Sequence, residues 1–191
     1  MAQTVRLLED VPYFDMVING KPIRIGRIQD TSNKLTGDFA KTSRACPPFC
    51  IHPIKAAEGV ETFGEIEVLK FLNEEVQNGR GLLVDARIPD WYQKGTIPGS
   101  VNLPFTLVSQ RDNPYFDRIL VALGAKKFGA GWDFSGAQPL CLFCNGPWCD
   151  QSPRAINNLI RAGYPAEKLK YYRGGMQMWN LLGLTVETPK G

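Results

Sequence analysis

The sequence has little net charge and lacks any long apolar segment. Its 22 lysine and arginine residues nearly balance 19 aspartate and glutamate residues, for a net charge of +3. No run of like charge is long enough to suggest a nucleic-acid arm or a membrane patch. No window approaches the roughly 18 continuous apolar residues of a membrane-spanning helix. We therefore expect neither a nucleic-acid partner nor a membrane partner.

The start of the chain also lacks a targeting pattern. Residues 1–10 do not show the basic and then apolar profile of a secretory signal, and we expect a cytoplasmic protein on that basis. A chain from which a signal peptide had been removed would begin in the same way, so a periplasmic location stays open.

The composition is that of an ordinary globular protein. Apolar residues make up 43% and charged residues 21% of the chain, which argues against disorder, collagen-like repeats and long coiled coils. With about 100 to 200 residues per domain, the length predicts one domain with an appendage. We place the appendage at residues 1–60 and the domain at residues 61–191. No glycine-rich turn of the dinucleotide-binding kind follows a predicted strand, and we expect no cofactor.

Five cysteines are too few for a disulfide scaffold at this length. They form two tight groups, which favours sulfur chemistry or metal binding over the bracing of loops. One group holds Cys46 and Cys50, and the other holds Cys141, Cys144 and Cys149.

The first group lies beside the only histidine, His52. Thiol and imidazole ligands suit zinc or iron in principle, but a fourth ligand is not in view and we expect no bound metal. The spacing of Cys46 and Cys50 is compatible with three interpretations: a metal site, a disulfide or redox pair, and simple packing near the active site. We favour packing. We interpret His52 as a structural residue rather than a base.

The appendage is predicted to contain a β-hairpin. Asn19-Gly20 separates two short apolar runs, at residues 16–18 and 21–25, and both turn residues tolerate positive φ. The stretch that follows, residues 29–50, ends in Cys-Pro-Pro-Phe-Cys and is expected to be an ordered loop or linker.

From Thr62 onward the apolar spacing predicts helices alternating with buried strands. Thr62 and Glu65 are spaced as a capping box, which begins an amphipathic helix that ends at Gly79. The apolar runs at residues 82–85 and 139–144 suit buried parallel strands. This alternation predicts an α/β fold with a mainly parallel sheet covered on both faces. The further elements are predicted at residues 113–123 (helix), 126–138 (glycine-rich connection), 152–162 (helix with Ser152 as its N-cap), 169–172 (strand) and 176–182 (helix).

The loop after Cys144 is the candidate site. Cys144 ends a buried strand, and residues 145–151 lead into a helix near Ser152. Ligands of open α/β sheets bind beyond the carboxyl ends of the strands, where a helix N-terminus favours an anion or a thiolate. A cysteine so placed has its pKa lowered from about 8.5, which makes Cys144 a candidate nucleophile. The alternative is that Cys144 is only a small buried side chain.

Three ordered motifs resemble the rhodanese family of sulfurtransferases. The sequence Leu-Leu-Val-Asp-Ala-Arg (82–87), with residues 95–104 after it, is similar to the first family signature. The sequence Tyr-Tyr-Arg-Gly-Gly-Met (171–176) is similar to the second, and Cys144 occupies the position of the catalytic cysteine between them. The resemblance covers about residues 62–186 and implies a rhodanese-like fold, to which the hairpin is an N-terminal extension.

The resemblance implies a persulfide mechanism. The Cys144 thiolate would take a sulfane sulfur from a donor such as thiosulfate and pass it to a thiophilic acceptor such as cyanide or a thiol. Asp85 and Arg87 would be mainly structural. The expected partners are thus a small sulfur-containing anion or a protein thiol. The substrate-binding candidates are Asn145, Gly146, Pro147, Trp148, Asp150, Gln151, Ser152 and Arg154, with Trp148 at the pocket mouth.

The loop departs from the family pattern. The family places a glycine three positions after the cysteine and an arginine before Ser or Thr, whereas here Gly146 comes two positions after, and Arg154 is the nearest guanidinium. Activity on thiosulfate is therefore expected to be weak, and phosphatase chemistry, which needs that arginine, ranks low. A sulfur-relay or protein-binding module is the alternative function.

Cys149 is a second candidate for catalysis. It lies five positions beyond Cys144, where it is placed to attack a persulfide or sulfenate on Cys144 and resolve it to a disulfide. The other interpretation is that Cys149 only packs against the loop, and Cys141 is expected in the core. A thiol-disulfide redox protein using Cys144 and Cys149 is therefore a further alternative.

Overall fold

The protein has the α/β architecture that the sequence predicts. The computed structural model describes residues 4–109 and 113–189. The strands are β1 (Phe14–Ile18), β2 (Lys21–Ile25), β3 (Glu61–Phe63), β4 (Leu82–Asp85), β5 (Val101–Asn102), β6 (Lys126–Phe128), β7 (Gly131–Asp133), β8 (Leu140–Phe143) and β9 (Leu169–Tyr172). The helices are α1 (Glu65–Phe71), which continues as a π-helical turn (Leu72–Val76), α2 (Pro89–Gln93), α3 (Phe116–Ala122), α4 (Gln151–Ala162) and α5 (Gly175–Leu181).

The central sheet has five parallel strands in the order β3-β9-β8-β4-β5. Because β8 lies in the middle and both faces are covered, all four of its residues are buried, which explains its continuously apolar sequence. The carboxyl ends of parallel strands meet at one edge of the sheet, and Cys144 follows β8 at that edge.

Apolar side chains cover both faces of the sheet. The β1-β2 hairpin, α1 and α5 pack with Cys141 and Phe143 on one face, and α3 and α4 pack with Leu140 and Leu142 on the other. The alternation along β8 follows from the pleat of a strand, which turns successive side chains to opposite faces. The predicted fold class, a mainly parallel sheet flanked by helices with an N-terminal hairpin, is confirmed.

The hairpin packs into this core. β1 and β2 pair antiparallel around Asn19 and Gly20, which both have positive φ, as the Asn-Gly signal predicts. The inward-facing side chains of both strands, including Ile18 and Ile25, are buried with α1. The division of the chain at residue 60 stays a prediction.

The predicted capping box at Thr62 is wrong. Thr62 lies in β3, where its hydroxyl donates a hydrogen bond to the Ile54 carbonyl at 2.7 Å. The helix begins at Glu65, and the Gly64 amide donates to the Glu67 carboxylate at 3.0 Å. A three-residue strand is too short to show the period-2 alternation that identifies strands.

The predicted connection at residues 126–138 also contains structure. β6 and β7 form a small antiparallel hairpin in which Lys127 faces Trp132, with its ammonium 4.7 Å from the ring centroid. Its strands hold no buried residue, so the sequence carries no apolar alternation there, and a cation-π contact supports the pairing instead.

The helices are short. α4 has 12 residues, and within residues 4–109 and 113–189 no helix combines the length and apolar character needed to cross a membrane.

Replacement of Ile25 by alanine tests whether the hairpin contributes to the stability of the whole protein. Ile25 is fully buried among side chains of the domain, so we expect Ile25→Ala to lower the free energy of unfolding by about 2–5 kcal/mol. Denaturant unfolding gives the measurement. The exposed Val17 of β1 provides the control, because Val17→Thr keeps a β-branched side chain and should change the same quantity by less than about 0.5 kcal/mol. Equal effects of the two substitutions would contradict a stabilising role for the hairpin.

Candidate active site

Residues 144–150 form a loop that joins the central strand β8 to α4. Cys144 and Cys149 are only 2% and 5% exposed. The helix begins at Gln151 with Asp150 at its N-cap position, so the prediction of Ser152 as the N-cap is wrong. The Ser152 hydroxyl donates instead to the Cys144 sulfur at 3.0 Å, because its place in the first helical turn directs it at that buried atom.

The surroundings of Cys144 favour the thiolate form of its side chain. Burial opposes its ionisation, but hydrogen bonds from the Cys149 thiol, from the hydroxyl and amide of Ser152 and from the Gly146 amide lower the pKa of Cys144. Hydrogen bonds to a charged form stabilise that form. In the neutral state the Cys144 thiol is placed to donate to the Cys149 carbonyl at 3.3 Å.

The other free cysteines are held as thiols. The hydrogen bond to Cys144, followed by burial, raises the pKa of Cys149, although the amides of Asn145 and Gln151 point at its sulfur. Burial raises the pKa of Cys141, which lies within β8 as expected. Of the three free cysteines, Cys144 alone has a lowered pKa.

A buried ion pair supports the start of the loop. Arg87 and Asp85 are 1% and 0% exposed and form two hydrogen bonds, at 2.9 and 2.6 Å. Nε and Nη2 of Arg87 make these two bonds, and the remaining guanidinium nitrogen, Nη1, donates to the Asn145 side chain at 3.2 Å. The Thr96 hydroxyl donates to Asp85 at 2.7 Å. The pair therefore fixes Asn145, the residue that follows Cys144.

The N-terminus of α5 supports the same part of the loop from the other side. The amides of Met176 and Gln177 donate to the carbonyls of Cys144 and Asn145 at 3.0 and 2.8 Å. Gly175 makes this approach possible, because it has φ +54° and a Cβ there would meet the Cys144 carbonyl oxygen. A side chain at this position would displace the cysteine loop.

A segment of the N-terminal extension, residues 38–53, covers the loop, and we call it the cover segment. The guanidinium of Arg44 lies 3.7 Å above the ring of Trp148, and the ring of Phe49 meets that ring edge-on at 5.6 Å. The His52 amide donates to the Pro147 carbonyl at 2.9 Å. Trp148 is therefore half-buried beneath this segment.

Cys46 and Cys50 form a disulfide within the cover segment. The favoured interpretation, simple packing, is therefore wrong, and the disulfide that was its alternative is present. The expectation that cysteines do not brace loops here is also wrong for this pair. Spacing alone does not distinguish the alternatives, because two cysteines four positions apart pair only if the turn between them brings their Cα atoms close, here to 4.6 Å. In the part of the chain that the structure describes, no group of three or more His, Cys, Asp or Glu side chains is arranged to hold a metal ion.

The rhodanese-like domain family matches residues 68–182, more than half of the 191 residues. The chain belongs to the rhodanese-like domain family. The resemblance read from the three sequence motifs is thereby confirmed, and both the Cys144 loop and the ion pair beneath it lie within the matched part of the rhodanese-like domain.

Several known proteins are similar to this rhodanese-like chain. An HTH-type transcriptional regulator of Mycobacterium tuberculosis is 28% identical over 109 residues, which are 57% of this chain and 38% of that protein. A protein of unknown function from Rhodopseudomonas palustris, described as a possible tyrosine phosphatase, has a TM-score of 0.48 and 20% identity and covers 69% of this chain and 88% of its own. The thiosulfate sulfurtransferase of Pseudomonas aeruginosa has a TM-score of 0.45 and 21% identity, with coverages of 72% and 22%. The chain thus spans about two fifths of the curated relative.

Four of the eight substrate-binding candidates in this rhodanese-like domain contact the two sulfurs. Arg154 lies on the outer side of α4, 54% exposed, with its guanidinium 3.6 Å from the Asp150 carboxylate and 4.6 Å from the ring centroid of Phe105. Asp150 faces outward with it. The candidates whose backbone or side chain contacts one of the two sulfurs are Asn145, Gly146, Gln151 and Ser152.

Sequence reasoning missed the residues that hold the cover segment. The Gln177 side chain donates to the Phe39 carbonyl at 2.6 Å and accepts from the Trp148 indole at 3.4 Å, and Arg173 donates to the His52 carbonyl at 2.8 Å. Arg173 lies inside the second motif, so its position near the site could have been predicted. No sequence pattern includes Gln177.

Replacement of Ser152 by alanine tests the lowered pKa of Cys144. The thiolate is the form present above the midpoint of the titration and the thiol the form below it, so loss of a donor to the thiolate must move the midpoint to higher pH. A hydrogen bond to a charged group contributes about 1.5–3 kcal/mol, so the ratio of thiolate to thiol should fall about tenfold or more. Titration of the ultraviolet absorbance of the thiolate gives the measurement.

Two controls accompany this titration. Cys144→Ser should remove the low-pH step and so assign it, and Ser135→Ala, at an exposed serine, should leave the midpoint where it is. A midpoint that is the same in Ser152→Ala and in the unaltered protein would show that the hydroxyl does not stabilise the thiolate.

The buried ion pair is tested by Asp85→Asn, which keeps the shape of the side chain and removes its charge. The Arg87 guanidinium would then be buried without a counter-charge, and we expect the free energy of unfolding to fall by about 3–5 kcal/mol. Asp117→Asn is the matched control, because the Asp117 side chain is 59% exposed beside Lys127 and should cost less than about 1 kcal/mol. Denaturant unfolding compares them, and similar losses would contradict the account of this pair.

Proposed function

We propose that this rhodanese-like domain is a sulfurtransferase that carries sulfane sulfur as a persulfide on Cys144. The observation that most directly supports the proposal is the lowered pKa of Cys144 at the end of β8, with the Ser152 hydroxyl 3.0 Å from its sulfur. The thiolate is the nucleophilic form of cysteine. Cys149 is unsuited to the first step, because its pKa is raised.

In the first half-reaction the Cys144 thiolate attacks the outer sulfur of a donor such as thiosulfate. A bond forms between Cys144 Sγ and that sulfur, while the sulfur-sulfur bond of thiosulfate breaks and its electron pair leaves with sulfite. The transferred atom keeps its sulfane oxidation level, so the step needs no external oxidant.

In the second half-reaction a thiolate or cyanide attacks the outer sulfur of the persulfide. The bond between Cys144 Sγ and that sulfur breaks, and its electron pair returns to Cys144 as a thiolate. The Ser152 hydroxyl and the amides that favour this thiolate therefore also favour its departure as a leaving group.

The substrate preference follows from the donors around the two sulfurs. These donors are mainly backbone amides, those of Gly146 and Ser152 at Cys144 and those of Asn145 and Gln151 at Cys149. A small dianion such as thiosulfate gains less from amides than from a bidentate guanidinium. We therefore propose slow turnover of free thiosulfate and a thiol as the main acceptor.

A second candidate function is thiol-disulfide exchange between Cys144 and Cys149. The hydrogen bond between the two side chains favours it. In this reaction the Cys149 sulfur attacks the Cys144 sulfur of the persulfide, a disulfide forms, and the outer sulfur leaves with the Cys149 proton as hydrogen sulfide.

Peptide mass after incubation with thiosulfate, and separately with a polysulfide, tests the proposed function. The protein is first reduced with dithiothreitol and freed of it. After proteolysis, the peptide that contains residue 144 should be heavier by roughly 32 Da, one sulfur atom, in the unaltered protein and in Cys149→Ser, and it should gain nothing in Cys144→Ser, because the thiolate is the attacking form. Sulfur added at Cys46 or Cys50 falls on a different peptide. Cys141→Ser is the matched control and should behave as the unaltered protein. No gain with either donor would refute a persulfide carrier on Cys144.

Peptide mapping of the persulfidated protein tests the second candidate. Exchange predicts a linked peptide that contains Cys144 and Cys149, together with released hydrogen sulfide. A persulfide that persists on Cys144 with no such linked peptide rules the exchange out.

A further inference from the structure

The cover segment contains a disulfide and packs over the Cys144 loop. Cys144 and Cys149 are almost wholly buried, whereas Cys46 of the disulfide is exposed and Cys50 partly so. The two pairs of cysteines therefore differ in their accessibility to reagents in solution. A reagent in solution reaches the disulfide while the Cys144 loop is still covered.

The contacts that close the loop lie on both sides of the disulfide. Arg44 precedes the Cys46–Cys50 turn and Phe49 lies within it, and both contact the ring of Trp148, at 3.7 and 5.6 Å. The disulfide fixes the distance between the two ends of this turn. Arg44 and Phe49 are thereby held in position to contact one indole ring.

The contacts continue beyond the disulfide. The His52 amide binds the Pro147 carbonyl at 2.9 Å, and Arg173 binds the His52 and Pro53 carbonyls at 2.8 and 3.1 Å. These bonds reach the loop and the end of β9 directly from the residues that follow Cys50. Loss of the turn would weaken the contacts made by the residues before Cys46 and those made by the residues after Cys50.

We propose that the Cys46–Cys50 disulfide is a second redox site, whose substrate is a dithiol reductant and whose reduction uncovers Cys144. A thiolate of the dithiol attacks one sulfur of the disulfide and forms a mixed disulfide, while the other cysteine sulfur leaves as a thiolate and takes up a proton. The second thiol of the reductant then displaces the first cysteine. The reductant is oxidised to a disulfide and Cys46 and Cys50 are reduced to thiols, so atoms and electrons balance.

Reduction matters because the acceptor must approach the persulfide sulfur itself. In this arrangement the cover segment contacts Trp148 and Pro147, and Cys144 is 2% exposed. In the reduced protein the turn at residues 46–50 loses its cross-link and populates more conformations. The inference rests on the proposed function only in treating Cys144 as the reactive thiol.

Labelling of Cys144 by N-ethylmaleimide, followed by peptide mass spectrometry, tests the proposal. The comparison includes the oxidised protein, the protein reduced by dithiothreitol and freed of it, and the double variant Cys46→Ser with Cys50→Ser. We expect the second and third samples to be labelled at Cys144 about tenfold faster than the first, the effect of losing the constraint of a short disulfide loop. Equal rates in all three samples would overturn the proposal.

A second variant separates the contacts from the cross-link. Arg44→Ala with Phe49→Ala keeps the disulfide and removes both contacts to Trp148, and fast labelling of Cys144 in its oxidised form is expected. Slow labelling there would show that these contacts do not close the loop. The reduced protein carries no substitution, so its labelling rate decides the matter even if a variant fails to fold.

Reducibility is measured separately. Alkylation after dithiothreitol treatment, followed by peptide mapping, should find free thiols at Cys46 and Cys50 in the folded protein, and a disulfide that resists reduction until the protein unfolds would overturn the proposal. Maleimide labelling needs no sulfur donor. If the persulfide test fails, a labelling rate that depends on the redox state still supports the redox site. If the persulfide forms but all samples are labelled at equal rates, the proposed redox site is refuted and the proposed function stands.

Discussion

The lowered pKa of one buried thiol, that of Cys144, depends on the conformation of the whole loop. An anion without water is costly to bury unless hydrogen-bond donors replace the water, and Cys144 is almost wholly buried. The donors are the hydroxyl and amide of Ser152, the amide of Gly146 and the thiol of Cys149. They come from both ends of one loop, so the conformation of that loop determines how readily Cys144 ionises. This explains why a glycine, Gly175, and a buried ion pair are placed where they hold the loop still.

The cationic side chains near the loop are engaged with other partners. Arg87 pairs with Asp85, Arg154 with Asp150, and Arg173 donates to backbone carbonyls of the cover segment. The stabilisation of the thiolate therefore comes from the dipoles of hydrogen-bond donors rather than from a neighbouring full charge. Such short-range contacts inside the protein are screened little by salt, so the ionisation of this sulfur depends on loop geometry more than on ionic strength.

The sequence allows the centre of the fold to be predicted, and tertiary contacts determine the rest. The runs that form β4 and β8 are continuously apolar because both faces of the sheet are covered, and the Asn-Gly turn carries its own backbone preference. β3 and β5 have three and two residues and are held by pairing with neighbouring strands, so no local pattern predicts them.

At the site, the position of Cys144 was predictable, but the direction of the Ser152 hydroxyl was not, because a serine in the first turn suits a cap and a sulfur contact equally well. The contact of Arg44 with Trp148 depends on the path of the intervening hundred or so residues, which spacing does not encode.

The path of the cover segment has a consequence for the binding of other molecules at the loop. It leaves a hairpin that is packed into the core and returns to β3 in the central sheet, so it is tethered at both ends. Its contacts with the indole of Trp148 are therefore intramolecular, and their effective concentration does not change when the protein is diluted. An incoming molecule competes with a tethered neighbour of the loop, so a higher concentration of the incoming molecule shifts that competition and dilution of the protein does not.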